Sequence, residues 1–329
     1  YGKSTFLHFS EGLVHIVYID YLKLAASYEN NCAVDEITDD KLESMFDKLE
    51  EQYGGYCFDE DYEKKVFNTW SVNDFFQSVV SNKFVYFGEY WYDNGGLPSI
   101  LVNYLKTHEL NIFEYLDKDK FLKVSSDDFK NPTALTTINQ NVLMCQTGYL
   151  TLRSDLNKTS TVALGIPNGE IYKALNRLLA NNIFKGNTDI TDDYGRSLLE
   201  VGTVDDIINL FNSALNSVSY DNYPIVSESS VQNMLKLYLL GAHQKVLSEV
   251  HEAKGRADLV VNTDNRRIVF EFKYAKNETE AKSKLLDAVE QIKTRDYGNI
   301  VPKKTELLRI ATVFNADPKV RAFTEFQLV

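Results

Sequence analysis

The fold is decided by residues 255–274, whose sequence is GRADLVVNTDNRRIVFEFKY. Apolar and β-branched residues dominate both halves of this stretch, and Asp264-Asn265 separates them. Both residue types tolerate the positive φ angles of a two-residue hairpin loop. The stretch therefore predicts two antiparallel strands, at 255–262 and 266–274, joined by a tight turn.

The two-residue loop also fixes which residues of the two strands lie opposite each other. It pairs 263 with 266 and, further down the ladder, Asp258 with Glu271. Carboxylates facing each other in a sheet repel, and a divalent cation is the simplest compensation. Oxygen ligands at a partly hydrated site suit Mg²⁺ or Mn²⁺. Lys273 shares the face of Glu271, so it is placed to orient a water or help deprotonate it for attack on phosphorus.

Further polar residues around the hairpin extend the predicted site. Glu249 lies near the end of a strand-like run at 245–251 and can give the cation a third carboxylate. Four residues are weaker candidates for positioning a substrate: Arg256, His251, Gln291 and Tyr297. A structural role for the histidine is the more common alternative, and a surface salt-bridge cluster is the alternative for the whole pattern.

The sequence on either side of the hairpin supplies the rest of a domain. Residues 231–242 are an apolar helical run, and residues 278–292 repeat apolar residues at helical spacing. A buried-type strand follows at 307–314, and a strand–helix–strand crossover of this kind gives a parallel pair. The predicted order is α-β-β-β-α-β, within a chain that is α/β, or α+β overall.

Charge is distributed unevenly along the chain. The 329 residues carry a formal net charge of −12, yet residues 245–329 hold 16 Lys and Arg against 13 Asp and Glu, a net charge of +3. The first 244 residues therefore carry −15. This acidity excludes nonspecific binding of nucleic acid over the whole surface, whereas the C-terminal part tolerates a polyphosphate partner.

Other features limit the class of protein further. No run of about 18 apolar residues is present, so we expect no membrane-spanning helix and no membrane partner. Cys32, Cys57 and Cys145 are far apart and form no CxxC motif, which predicts a cytoplasmic protein without disulfides or structural zinc. No secretory signal sequence is recognised.

The N-terminal two thirds are predicted to be mainly helical, and the chain length suits about two domains. Helices are expected at 38–53, from Pro167 onward, at 203–218 and at 229–242, and strands at 13–19, 142–152 and 159–165. A linker-like stretch at 219–224 places the domain boundary between 1–222 and 223–329. The many aromatic residues of 53–105 are interpreted as a packed core, with a base-stacking platform as the alternative.

The order of elements around Asp258, Glu271 and Lys273 resembles the core of the PD-(D/E)XK nuclease superfamily. Further motifs resemble those of bacterial proteins that fuse an AAA-ATPase-like domain to a C-terminal PD-(D/E)XK nuclease-like domain. These motifs are Tyr53-Gly-Gly-Tyr56, Asn68-Thr-Trp-Ser71, Tyr90-Trp-Tyr-Asp-Asn-Gly95, Gln146-Thr-Gly-Tyr-Leu150, Gly165-Ile-Pro-Asn168, Leu239-Leu-Gly-Ala242, Glu249-Val-His251, Gly255-Arg-Ala-Asp258 and Phe270-Glu-Phe-Lys273.

The resemblance implies a metal-dependent nuclease attached to an AAA-like, mostly helical regulatory module. Asp258, Glu271 and Lys273 would be the nuclease triad and Glu249 the supporting acid, with Mg²⁺ or Mn²⁺ as cofactor. The implied substrate is nucleic acid, with DNA favoured over RNA and RNA left as the alternative, at a restriction-endonuclease-like C-terminal domain.

The same resemblance implies an N-terminal P-loop. Gly2, Lys3, Ser4 and Thr5 fit the end of such a loop, which would bind ATP through backbone N–H groups and the lysine. Only about 30 residues separate this motif from the first matching stretch at residue 36. We therefore expect an incomplete P-loop, a shortened ATPase core and no ATP hydrolysis.

Two alternatives come from other classes of protein. The first is a binding or scaffold protein with a catalytically silent nuclease fold, which the −15 charge of the N-terminal part favours. The second is an ATP-binding switch in which residues 2–5 carry the function. Oligomerisation is compatible with the nuclease and with both alternatives.

Overall fold

The computed structural model describes residues 17–93, 99–105, 108, 111–131, 134–154, 158, 160–184, 193–242, 244–252, 255–295, 297 and 305–329. The chain divides into two compact units, Tyr1–Leu175 and Asn176–Val329. Within the ranges just given, no helix is long and apolar enough to cross a membrane. The predicted boundary between 222 and 223 stays a prediction.

The first unit is mainly helical with two small antiparallel sheets. Its helices are α1 (Ile19–Asn30), α2 (Asp39–Tyr53), α3 (Thr69–Asn82), α4 (Tyr90–Asp93), α5 (Ser99–Leu105), α6 (Ser126–Lys130), α7 (Gln140–Gln146) and α8 (Gly169–Ile183), the last of which ends beyond this unit. Its strands are β1 (Tyr56–Cys57) and β2 (Lys65–Val66), which pair, and β3 (Leu122–Ser125), β4 (Thr151–Leu152) and β5 (Thr161–Gly165), in the order β3-β5-β4.

Helices α1, α2 and α3 pack around an aromatic core. Leu22, Met45 and Phe75 are fully buried in it, and the ring of Tyr53 lies 5.9 Å from that of Phe75. The aromatic residues in this part of the chain therefore serve largely as packing, as predicted. Trp70 is an exception, since 56% of it is exposed.

A buried carboxyl group joins several of the motifs in this unit. Glu170, at the start of α8, accepts hydrogen bonds from Ser71 Oγ at 2.7 Å and from the Trp91 N–H at 2.9 Å. Close by, Asn168 Nδ2 donates to the carbonyl of Gly54 at 2.8 Å. Gly55 has φ +78°, and a Cβ atom there would lie 2.3 Å from a backbone oxygen, so no other residue fits.

Two strand predictions in this unit are wrong. Residues 140–146 form helix α7, which Asn139 caps by accepting from the Asn141 N–H at 2.9 Å, and only Thr151–Leu152 of the predicted strand is extended. Ile19 begins helix α1, so it is not the end of a strand. The rest of that predicted strand, and the P-loop-like residues 2–5, lie outside the described residues.

The second unit contains the predicted domain core. Its helices are α9 (Asp193–Val201), α10 (Val204–Asn216), α11 (Glu228–Gly241) and α12 (Glu278–Arg295), and its strands are β6 (Lys245–Glu252), β7 (Gly255–Asn262), β8 (Arg266–Ala275), β9 (Glu306–Asn315) and β10 (Ala322–Leu328). The strands form one sheet in the order β10-β9-β8-β7-β6. Strands β8 and β9 are parallel and joined through α12, and the other pairs are antiparallel. The order α-β-β-β-α-β is confirmed, with β10 as an additional edge strand.

Alternation along β8 sends its side chains to two different environments. Val269 faces α12, where it packs with Ala288 and Ile292. Phe270 and Phe272 stack at 5.7 Å on the opposite face of the sheet. Because side chains alternate along a strand, Glu271 and Lys273 lie on the α12 face with Val269.

Candidate active site

The hairpin that carries the site has the predicted register. Strands β7 and β8 pair from Asn262–Arg267 to Leu259–Phe270, and the Thr263 N–H donates to the carbonyl of Arg266 at 2.9 Å across the two-residue turn. The next position of this register is occupied by the two predicted carboxylates.

Backbone pairing between β7 and β8 stops at these carboxylates. Asp258 Oδ2 accepts a hydrogen bond from the Phe272 N–H at 2.9 Å, so a side chain takes the place of a backbone partner. The backbone carbonyl of Asp258 accepts instead from Gln232 Nε2 on α11. Backbone pairing between the two strands therefore ends where Asp258 and Glu271 lie opposite each other.

Glu271 is completely buried and only half satisfied. Its Oε1 accepts from Lys273 Nζ at 2.7 Å, whereas its Oε2 is buried and has no hydrogen-bond partner among the described residues. Burial, followed by the charge of Asp258, raises the pKa of Glu271 to about 7. A buried carboxylate oxygen without a partner is costly, so it indicates a site that a bound cation would complete.

Lys273 links this carboxylate to a residue that the sequence did not single out. Its Nζ lies 3.4 Å from Glu228 Oε1, in the first turn of α11. Burial opposes the charged form of Lys273, but the hydrogen bond to Glu271 and the nearby carboxylates outweigh it and raise the pKa of the lysine. The ammonium group therefore stays charged at neutral pH.

The donor set fits a divalent cation of the magnesium type. Mg²⁺ is typically bound by one or two carboxylates together with waters and substrate phosphates, and Asp258 and Glu271 are such a pair. Across the described ranges, no group of three or more His, Cys, Asp and Glu side chains forms a metal cluster. The pairing of β6 with β7 brings the backbone of Glu249 next to Asp258. The side chains of Glu249 and His251 are not among those that the structure describes.

The C-terminal end of α12 brings further polar residues close to the two carboxylates. Arg295 Nη1 donates to the Tyr297 hydroxyl at 2.8 Å, and Gln291 Nε2 donates to the same hydroxyl at 3.4 Å. The hydrogen bond to Tyr297 comes first among the causes that raise the pKa of Arg295, and the charges of Glu271 and Asp258 act in the same direction.

Arg295 is held close to the start of β7. A Cβ atom on Gly255 would lie 2.6 Å from Arg295 Cδ, so the glycine leaves room for the arginine stem. The structure therefore brings the predicted residues Gln291 and Tyr297 together around an arginine that was not predicted. Arg256, also predicted, is exposed at the surface.

Comparison with known protein families agrees with this geometry. Residues 226–324 match the family model of the PD-(D/E)XK nuclease superfamily. The match begins just before α11 and ends within β10, so it includes every described residue of the site. No curated protein matches the chain. A PD-(D/E)XK nuclease superfamily domain is thus present at residues 226–324, and its family indicates a function of the nuclease type.

Proposed function

We propose that the PD-(D/E)XK domain hydrolyses phosphodiester bonds of nucleic acid, DNA in preference to RNA, with Mg²⁺ or Mn²⁺ as cofactor. The observation that carries this proposal is the fully buried carboxylate of Glu271 beside Asp258. One of its oxygens accepts from Lys273, and the other has no partner among the residues that the structure describes. The excess of basic residues in 245–329 supports nucleic acid as the partner of this domain.

Each described residue has a role in this proposal. Asp258 and Glu271 hold the cation, which when bound would polarise the phosphate and lower the pKa of a nearby water. Lys273, kept protonated by its carboxylate partners, orients the attacking water and neutralises developing negative charge rather than acting as a base. Arg295, fixed by Tyr297, positions a phosphate oxygen. Glu249 remains a proposed supporting acid.

The direct test is cleavage of supercoiled plasmid, single-stranded DNA and RNA by the full chain with Mg²⁺, Mn²⁺ or a chelator. We expect metal-dependent cleavage that is faster on DNA than on RNA. The absence of cleavage by folded protein on all three substrates would contradict the proposal and favour the catalytically silent scaffold.

Metal binding is expected to stabilise the folded protein. Because Mn²⁺ would bind the native carboxylates and not the unfolded chain, it should raise the melting temperature, by the equivalent of about 2.7 kcal/mol at a concentration 100 times the Kd. Calorimetry of wild type with Mn²⁺ checks this. Asp258→Asn should lose the shift, while the control Asp287→Asn should keep it. Equal shifts in both variants would contradict the assigned ligands.

Replacing Arg295 by Gln should slow cleavage by about 10²-fold, the lower end of the usual effect of losing one preorganised electrostatic contact. The matched control is Lys293→Gln, which removes one positive charge from an exposed position two residues away on the same helix. Initial rates at fixed metal concentration compare the two. Equal slowing by both variants would mean that only net charge matters.

We also propose that residues 1–222 form an AAA-ATPase-like module that regulates the nuclease in the cytoplasm. The motifs that carry the resemblance support it, because several of them meet around Glu170 and Gly54 in the first unit. The three cysteines are free thiols, which is compatible with the cytoplasm. A rise in melting temperature with Mg-ATP would support the module and the switch. An unchanged melting temperature would contradict control of the nuclease by nucleotide binding.

A further inference from the structure

The second unit contains a cavity of about 160 Å³ that the proposed reaction does not use. Its walls come from the end of α10, the linker before α11, the end of β9 and the residue before β10. Aromatic residues form much of its lining, namely Tyr220, Tyr223 and Phe314, together with Arg321. Rings and a guanidinium group in one concave site are suited to stacking on a flat ligand.

Arg321 is held in an unusual state. Its guanidinium carbon lies 3.5 Å from the centroid of the Tyr220 ring, and its Nε atom is buried without a hydrogen-bond partner among the described residues. Its backbone has φ +44°, in the left-handed region that non-glycine residues rarely adopt, and its N–H donates to the carbonyl of Asp317 at 3.0 Å. A strained backbone that presents a cation whose buried Nε has no hydrogen-bond partner in the described part of the chain indicates a ligand site rather than packing.

The cavity lies near the same end of the sheet as the candidate active site. In the parallel pairing of β8 and β9, Phe314 is opposite Tyr274, one residue beyond Lys273. Ile225, also in the lining, precedes Glu228 by three residues, a distance of at most about 11 Å along the chain. Because side chains alternate along both strands, Phe314 and the cavity lie on the face of the sheet opposite Lys273. A strand whose phosphate reaches Lys273 would therefore pass over this end of the sheet, beside Glu228, to place a neighbouring nucleotide in the cavity.

We infer that the cavity binds one unpaired nucleotide of the strand that the domain cuts, with its base stacked on the aromatic and guanidinium surfaces and its phosphate near Arg321. This inference rests on the proposed nuclease function. A base inside a duplex is stacked on both faces and cannot enter, so the substrate is single-stranded or presents an extruded base.

Binding can be measured without cleavage. The probe is a 5′-labelled 15-nucleotide single strand, or the same strand in a duplex, titrated in chelator with the full chain carrying Glu271→Gln. In that background, Arg321→Gln and Tyr220→Leu should each weaken single-strand binding about 10-fold, the effect of losing one stacking surface. Duplex binding should change less than about threefold. Arg196→Gln, which removes one exposed positive charge from the same unit, is the control.

The outcomes separate the possible errors. Equal weakening by Arg321→Gln and Arg196→Gln, or equal loss for single strand and duplex, would overturn the inference. So would adenosine 5′-monophosphate binding that depends on Arg321 while strand binding does not, because the cavity would then take a free nucleotide. If wild type fails to cut but the predicted binding losses are seen, the nuclease proposal fails and the nucleotide site stands. If wild type cuts and the variants bind normally, only the inference fails.

Discussion

Replacing Glu271 by Gln is expected to lower the rate of DNA cleavage by at least 10²- to 10³-fold while the protein remains folded. The amide keeps the shape of the side chain but cannot hold a cation with its second oxygen, and loss of one such preorganised electrostatic group typically has this effect. The stability change should be small, because two terms oppose each other. Relief of carboxylate burial favours the variant, and loss of the Lys273 ion pair disfavours it.

Removing the other partner should have a different effect on stability. Lys273→Met leaves Glu271 buried beside Asp258 without a cation, which typically costs about 3–5 kcal/mol when the carboxylate is ionised. The double variant should recover most of this loss, because no buried charge then lacks its partner. Chemical unfolding followed by circular dichroism measures this double-mutant cycle, with Glu278→Gln and Lys282→Met as the exposed control pair.

The cleavage assay is the test of the first prediction. Near-normal cleavage by Glu271→Gln would show that the chemistry lies elsewhere.

The part of the site that the sequence predicts depends on local rules. A two-residue turn and strict alternation are enough to place Asp258, Glu271 and Lys273 together, because a hairpin leaves few registers open. Helix α12 was equally predictable from its apolar spacing. Glu228 and Arg295 were not, since their roles depend on how α11 and α12 approach the sheet. In the sequence, the only signs of these two residues are the capping serine before Glu228 and the spacing of four residues between Gln291 and Arg295.

The strand predictions failed where an apolar run was short. The run 142–145 fits a buried strand as well as one turn of helix. The asparagine that caps this helix, Asn139, is a weak signal in a sequence. Strand β10 was missed because it is an edge strand with an irregular register between Phe323 and Glu325, which breaks the period of two. Arg321, which immediately precedes β10, was overlooked with it.

The stability of the first unit should fall as pH rises, because of Glu170. Burial is the main cause that raises the pKa of this carboxyl from 4.5 to about 7, so the folded state binds its proton more tightly than the unfolded state. The contribution is fully present below about pH 4.5 and is lost as pH rises through about 7. The shift corresponds to roughly 3 kcal/mol across this window.

Two variants separate the proton from the hydrogen bonds. Glu170→Gln should flatten the pH dependence by one proton, because the amide keeps an acceptor and cannot ionise. Glu170→Ala should cost roughly 2–5 kcal/mol at low pH, since Ser71 Oγ and the Trp91 N–H lose their buried acceptor. This cost should shrink as pH rises through about 7, because only wild type loses the contribution of the bound proton there. Both tryptophans of the chain, Trp70 and Trp91, lie in this unit, so urea unfolding followed by tryptophan fluorescence reports on it alone. If Glu170→Gln follows the same pH profile as the exposed control Glu51→Gln, the Glu170 carboxyl is ionised in the folded state. Ser71 and Trp91 would then donate to a charged carboxylate and not to a protonated carboxyl group.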